Sequence, residues 1–197
     1  MASITTSAEA EPVAARGILS VRPNVGREDA ISIFGGRDLG AMLWRLRKGG
    51  LQAVADVYVP YRFYRVHIAG RRASLTHIYA IDSVDGSLDP YEFETVPAGQ
   101  SLMQVKTRNC LAASLDQEQA KSLLREKTLR MIFQGGFFKV GTADLRLESL
   151  AAEIYLPYWL GFYGRNGRVD FRIIDAVRRC VEGAKAHALF ESWIASA

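Results

Sequence analysis

Cysteine is scarce in this chain, and the two present, Cys110 and Cys180, lie far apart in neither a Cys-x-x-Cys nor any other metal-ligand spacing. A disulfide framework and a zinc knuckle are therefore unsupported, and a reduced, cytoplasmic compartment fits best. The three histidines, His67, His77 and His187, also lack metal-type spacing, so neither a metal nor a cofactor is expected. No nucleophile elbow, phosphate loop or dinucleotide fingerprint occurs, and Gly35-Gly36, Gly49-Gly50 and Gly135-Gly136 are double glycines at helix boundaries, not phosphate cradles. Long apolar runs are missing too. The most hydrophobic window, 154–163, is strand-sized, so no membrane span is expected. Residues 1–17 lack the basic start and apolar block of a secretory signal. Nor is there a strong charge excess: the formal net charge of +4 permits an anionic partner without demanding a nucleic acid. The aromatic consensus of an RNA-recognition sheet is absent.

What is present is a sentence said twice. Val57-Tyr58-Val59-Pro60-Tyr61 returns as Ile154-Tyr155-Leu156-Pro157-Tyr158, each copy is followed by a Gly-Arg pair, and Ile81-Asp82-Ser83-Val84 is echoed by Ile174-Asp175-Ala176-Val177. A duplicated unit implies a pseudo-symmetric packed body. Residues 1–27 carry no amphipathic period and are punctuated by Pro12, Gly17, Pro23 and Gly26, which predicts a flexible arm; if part of it orders, Ile18, Leu19 and Val21 are the docking residues. The first unit spans 28–110 and the second 111–197. Leu39, Met42, Leu43 and Leu46 fall at helical intervals before Gly49-Gly50, with Arg45, Arg47 and Lys48 complementing the carboxyl end of the helix dipole. In the second copy, a capping signal at 114–117 opens a helix along Ala120, Leu123, Leu124 and Met131.

Each Tyr-x-Pro-Tyr segment reads as the first arm of an antiparallel hairpin turning near 69–71 or 165–167. Pro60 and Pro157 require edge strands, strand starts or bulges. The extra sequence of the second copy, with Phe137, Phe138 and Gly141, predicts an added strand. Further strands are expected at 91–96 and 102–107, and an amphipathic helix through Ala186, Leu189, Phe190, Trp193 and Ile194 closes the second unit.

Three constellations offer function. Both faces of 154–165 are apolar or aromatic, and Tyr155, Trp159 and Tyr163, with Tyr58 and Tyr64 in the first copy, form a candidate protein interface; coverage by a second layer of the same chain is the competing explanation. Arg62, Arg65, Arg71 and Arg72 near the first hairpin, and Arg165, Arg168 and Arg172 near the second, are candidate anion-binding residues for phosphate or single-stranded nucleic acid, against the reading of a solvated polar face. Asp82 and Asp175, with His67 or His77, are the only suspects for an enzyme site between the repeats; their equivalence across the copies argues for accepting turn amides instead of catalysis.

The pattern from Tyr155-Leu156-Pro157-Tyr158-Trp159 to Ile174-Asp175-Ala176-Val177 resembles one in bacterial proteins with a duplicated Tyr-x-Pro-aromatic hairpin, and is similar to PepSY-like small α+β modules. The resemblance covers the two hairpins and their helices. It implies a helix packed on an antiparallel sheet and a non-catalytic interaction or regulatory role, although the chain departs from that group in lacking a secretion signal. The expectation is an α+β protein of two pseudo-repeated helix-hairpin units with a C-terminal amphipathic helix. It acts as a non-catalytic interaction or scaffold subunit of a cytoplasmic assembly, with a protein or a second copy of itself as partner. The alternatives are an anion or nucleic-acid binding module and an enzyme.

Overall fold

The computed structural model describes residues 14–36, 39–69, 74–134, 144–165 and 167–196. Two long strands dominate it. β2 (Gly50–Ala69) and β6 (Asp144–Arg165) pair antiparallel along almost their whole lengths. β2 is rich in Val and Tyr and β6 in Leu and Tyr, with the β-branched and aromatic members suited to a pleated surface. Around them the order is β4 (Tyr91–Phe93), β3 (Ser74–Asp82), β2, β6, β1 (Arg16–Val21) and β5 (Leu102–Thr107), with β7 (Arg168–Asp175) on β6 and β8 (Cys180–Val181) outside β7. The β1–β6 contact is parallel and the named ladders otherwise antiparallel, so the eight-stranded sheet is mixed and the fold is α+β.

Helices cover both faces. Strand alternation sends Tyr158 and Leu160 of β6 to the side where α4 (Ala184–Ser196) buries Ala186, Leu189 and Phe190. The opposite side receives α1 (Arg27–Phe34), α2 (Leu39–Lys48) and α3 (Gln117–Gln134): Ala30, Phe34 and Trp44 cluster with Tyr163, and Ala120 and Leu124 with Tyr64 and Val66. Helix α3 starts with a reciprocal cap, the Asp116 carboxylate accepting from Gln119 N and the Gln119 side chain accepting from Asp116 N. Among the described residues no helix is long and apolar enough to cross a membrane.

Several expectations change. Residues 16–21 of the expected arm are a strand, because all six pair with β5, the Ser20 hydroxyl donates to Tyr155 O at 3.0 Å, and Ile18 and Val21 are buried while Leu19 faces out. Residues 1–13 lie outside the described residues. α1 follows without a recognised period, since its buried side chains are only Ala30 and Phe34, one turn apart. The Tyr-x-Pro-Tyr segments sit mid-strand instead of opening short arms. The added-strand residues Phe137, Phe138 and Gly141, and the first hairpin turn with Arg71 and Arg72, lie outside the described residues.

The two prolines occupy central strands, against expectation, and the register explains how. Pro60 stands opposite Tyr155 and Pro157 opposite Tyr58. A residue of an antiparallel strand points its N–H and C=O the same way. Pro60 O accepts from Ser83 N at 2.9 Å and Pro157 O from Ala176 N at 3.1 Å, so each missing donor faces away from the β2–β6 ladder. It falls where the outer neighbour changes. β3 pairs as far as Tyr61, after which Tyr58 exchanges bonds with Asn109 and Leu111; β7 pairs as far as Tyr158, after which β1 meets Tyr155. At the centre the hydroxyls of Tyr61 and Tyr158, both fully buried, meet at 2.7 Å, and burial holds both phenols well above their ordinary pKa.

Candidate functional site

The aromatic face read as an interface is covered by the chain itself. Tyr163 and Tyr64 are fully buried under α1 and α3, donating to Phe34 O and Gln117 O. Tyr155 and Tyr58 pack on Ile18 and Val105, and Trp159 is half-buried with Nε1 donating to Val25 O at 2.8 Å. Strands apolar on both faces belong to a sheet sandwiched between layers, and that is the physical reason for the correction.

Asp82 and Asp175 are structural acceptors. Asp82 accepts from the amides of Asp85, Gly86 and Leu88; Asp175 accepts from those of Val177 and Arg178 and from the Tyr91 hydroxyl at 2.8 Å. Asp175 also approaches Cys180 and Glu182 within 4.8 Å, but its oxygens are already engaged, and burial raises the pKa of both neighbours, which opposes a charged ligand set. His67 bonds Thr76 and His77 bonds Glu92 on the sheet surface, far from forming a shared centre with either aspartate in the hydrogen-bond pattern.

The arginines divide by hairpin. Arg65 pairs with Glu148 at 2.7 Å and Arg62 with Glu153 at 3.6 Å, so β6 carboxylates neutralise the described arginines of the first group. Those of the second group converge with α2. Arg165 and Arg168 line an open cleft of about 1110 Å³ together with Arg47, Lys48, Trp44 and Val169, facing one carboxylate, Asp170. Arg172 lies behind, its guanidinium 5.8 Å from the Trp44 ring centre, and Lys48 lies 5.6 Å from it.

Local geometry sets this arrangement. Gly49 adopts φ +96°, and a Cβ there would lie 2.1 Å from Gly164 O, so only glycine lets the end of α2 turn against the β6–β7 tip. Arg165 Nη1 donates to Leu46 O at 2.7 Å, capping a carbonyl that the helix end leaves open. Lys48 pairs with Asp170. Burial raises the Asp170 carboxyl, but Lys48 and the Phe171 amide outweigh it and the net shift is downward. Among the described residues no acceptor reaches buried Trp44 Nε1 or Arg172 Nη1. A smaller, mainly apolar pocket of about 380 Å³ shares Trp44 and is lined by Phe171, Ile173, Val181 and His187.

No family model, curated protein or solved structure matches the chain. The cleft offers cations and an aromatic face, the equipment for holding an anion; among its described lining residues the one carboxylate, Asp170, is ion-paired with Lys48 and lies 3.8 Å from His187 Nε2. Sequence reading found Arg165, Arg168 and Arg172 but assigned Arg47 and Lys48 to the helix dipole and passed over Trp44. No local signal marks those three, because their meeting with β7 is tertiary.

Proposed function

We propose that the protein is a non-catalytic binding module that holds an anionic ligand between the end of α2 and the β6–β7 tip. The observation that carries this is the convergence of Arg47, Lys48, Arg165 and Arg168 around Trp44, against Asp170 as the one lining carboxylate among the described residues. The reading keeps the non-catalytic character implied by the PepSY-like resemblance, and moves the contact surface from the buried tyrosines to this cleft.

Calorimetric titration with pyrophosphate at a series of salt concentrations tests it. Affinity is expected to fall with salt as phosphate charge is neutralised. Arg168→Ala and Arg47→Ala each weaken binding by about five- to tenfold, the scale of one charge-assisted contact. Asp170→Asn tightens it, since Lys48 loses its internal partner. Absent or salt-insensitive binding sinks the proposal.

The same proposal treats the body as two repeated units that exchange their leading elements. Val59 faces its counterpart Leu156, and Tyr61 bonds its counterpart Tyr158, as a local two-fold relation requires. Asn24 and Val25, just ahead of the first unit, donate to Ala176 O of the second, while Ser114 and Leu115 of the second donate to Ser83 O of the first. Each unit's first helix thus lies under the other unit's hairpin: α1 beneath β6–β7, α3 beneath β2–β3. Reciprocal bonds of this kind support a duplication more strongly than the short sequence motif does.

A further inference from the structure

Of the α2 residues expected to be core, Leu43 and Leu46 are on the outside, and the side chains of Leu39 and Met42 lie outside the described ones. Leu43 is 60% exposed and Leu46 68% exposed, one turn apart on the helix that carries half-buried Trp44. Val169, 66% exposed at the tip of β7, borders the same cleft. Exposed Arg47, Arg165 and Arg168 stand among these apolar side chains, and the Arg165 bond to Leu46 O ties helix end and hairpin tip into one surface. Leucine and valine projecting beside arginines, on a short amphipathic helix that ends in Arg47 and Lys48, is the combination that suits an anionic membrane surface: the cations meet headgroup phosphates and the apolar side chains enter the acyl boundary. A soluble phosphate uses the cations but gives Leu43, Leu46 and Val169 nothing to bury, and a nucleic-acid backbone does no better.

Resting on the anion-binding reading above, we infer that the ligand is the phosphate of lipid headgroups, and that the protein docks by the α2 end and the β6–β7 tip on an anionic bilayer, with Leu43, Leu46 and Val169 inserted. Charge complementarity sets the occupant and its orientation. The long axis of β6 then points its Arg165 end at the membrane.

Co-sedimentation of the full chain with vesicles of phosphatidylcholine, with and without phosphatidylglycerol, tests this. Binding is expected only with the anionic lipid, and the Leu43→Ser/Leu46→Ser protein is expected to lose at least about tenfold in vesicle affinity while its pyrophosphate binding is unchanged. Val169→Ser provides an independent variant read by vesicle affinity, and thermal melting of each checks the fold. Pyrophosphate binding without vesicle binding, or vesicle binding that the serine variants retain, overturns the membrane inference and leaves the anion site standing. Preference for a single-stranded oligonucleotide over anionic vesicles also overturns it. Failure to bind pyrophosphate and vesicles alike removes both readings.

Discussion

Replacing Phe34 with alanine is expected to destabilise the protein by about 3–5 kcal/mol, the cost of deleting a wholly buried aromatic ring, measured by urea unfolding. Phe34 is the larger of the two buried anchors of α1, and its backbone carbonyl accepts the Tyr163 hydroxyl at 2.8 Å. Its ring lies over Gly161, where an added Cβ would come within 2.8 Å of three ring carbons. Gly161→Ala alone should therefore cost about 1–3 kcal/mol by overpacking. Combined with Phe34→Leu it should cost clearly less than the sum of the two single changes, because the smaller side chain makes room for the methyl. On the duplicated-unit reading the other half solves the same problem with sizes reversed: Tyr64 occupies the strand position that corresponds to Gly161, and Leu124 replaces the phenyl ring. Strict additivity in the Phe34 and Gly161 cycle would mean that α1 does not pack on β6 as described.

How much of this was readable follows from where the information lies. The returning strands were legible because Phe171 and Ile173 alternate with Asp170 and Arg172, a period set by local geometry. The start of α3 was legible to within two residues, its cap forming between Asp116 and Gln119 and not over 114–117, and so were Ala186, Leu189 and Phe190 of the α4 stripe, although Ile194 is exposed. The length of β2 was not, since Leu51 to Asp56 carries no clean alternation and takes its conformation from pairing with Trp159 to Tyr163. Strand β1 was hidden in a stretch punctuated by Gly17 and Pro23, and forms because β5 supplies a ladder from far along the chain. The tyrosines were misassigned by a specific inference: a strand greasy on both sides was read as half surface, when it signals helices above and below. The cleft was half legible. Arg165, Arg168 and Arg172 form a local cluster, but Trp44 joins them only through the Gly49 turn and the β2–β6 register.

Asp82→Ala is expected to cost on the order of 3 kcal/mol or more, since it strips the amides of Asp85, Gly86 and Leu88 of the acceptor that closes their loop. Asp82→Asn is the sharper test. Its single carbonyl oxygen can keep the Asp85 and Gly86 amides, but its NH2 group then faces the Leu88 amide, donor against donor. The asparagine variant should lose about 1–3 kcal/mol for that unsatisfied buried group. The pH dependence gives a second signature. Burial is the largest influence on the Asp82 carboxyl and raises its pKa, although the three amides pull the other way. The folded state therefore holds this proton more tightly than the unfolded state does. The stability contributed is full below the ordinary carboxylate range and is lost as pH rises through the raised folded value. Asp89 and Asp170 act in the opposite sense, their lowered pKa values giving stability that is lost as pH falls. Subtracting the asparagine variant's stability from that of the parent at each pH cancels those shared slopes. The difference should shrink as pH rises across the carboxylate range; a difference that grows instead would mean that the three amides, and not burial, set the charge of Asp82.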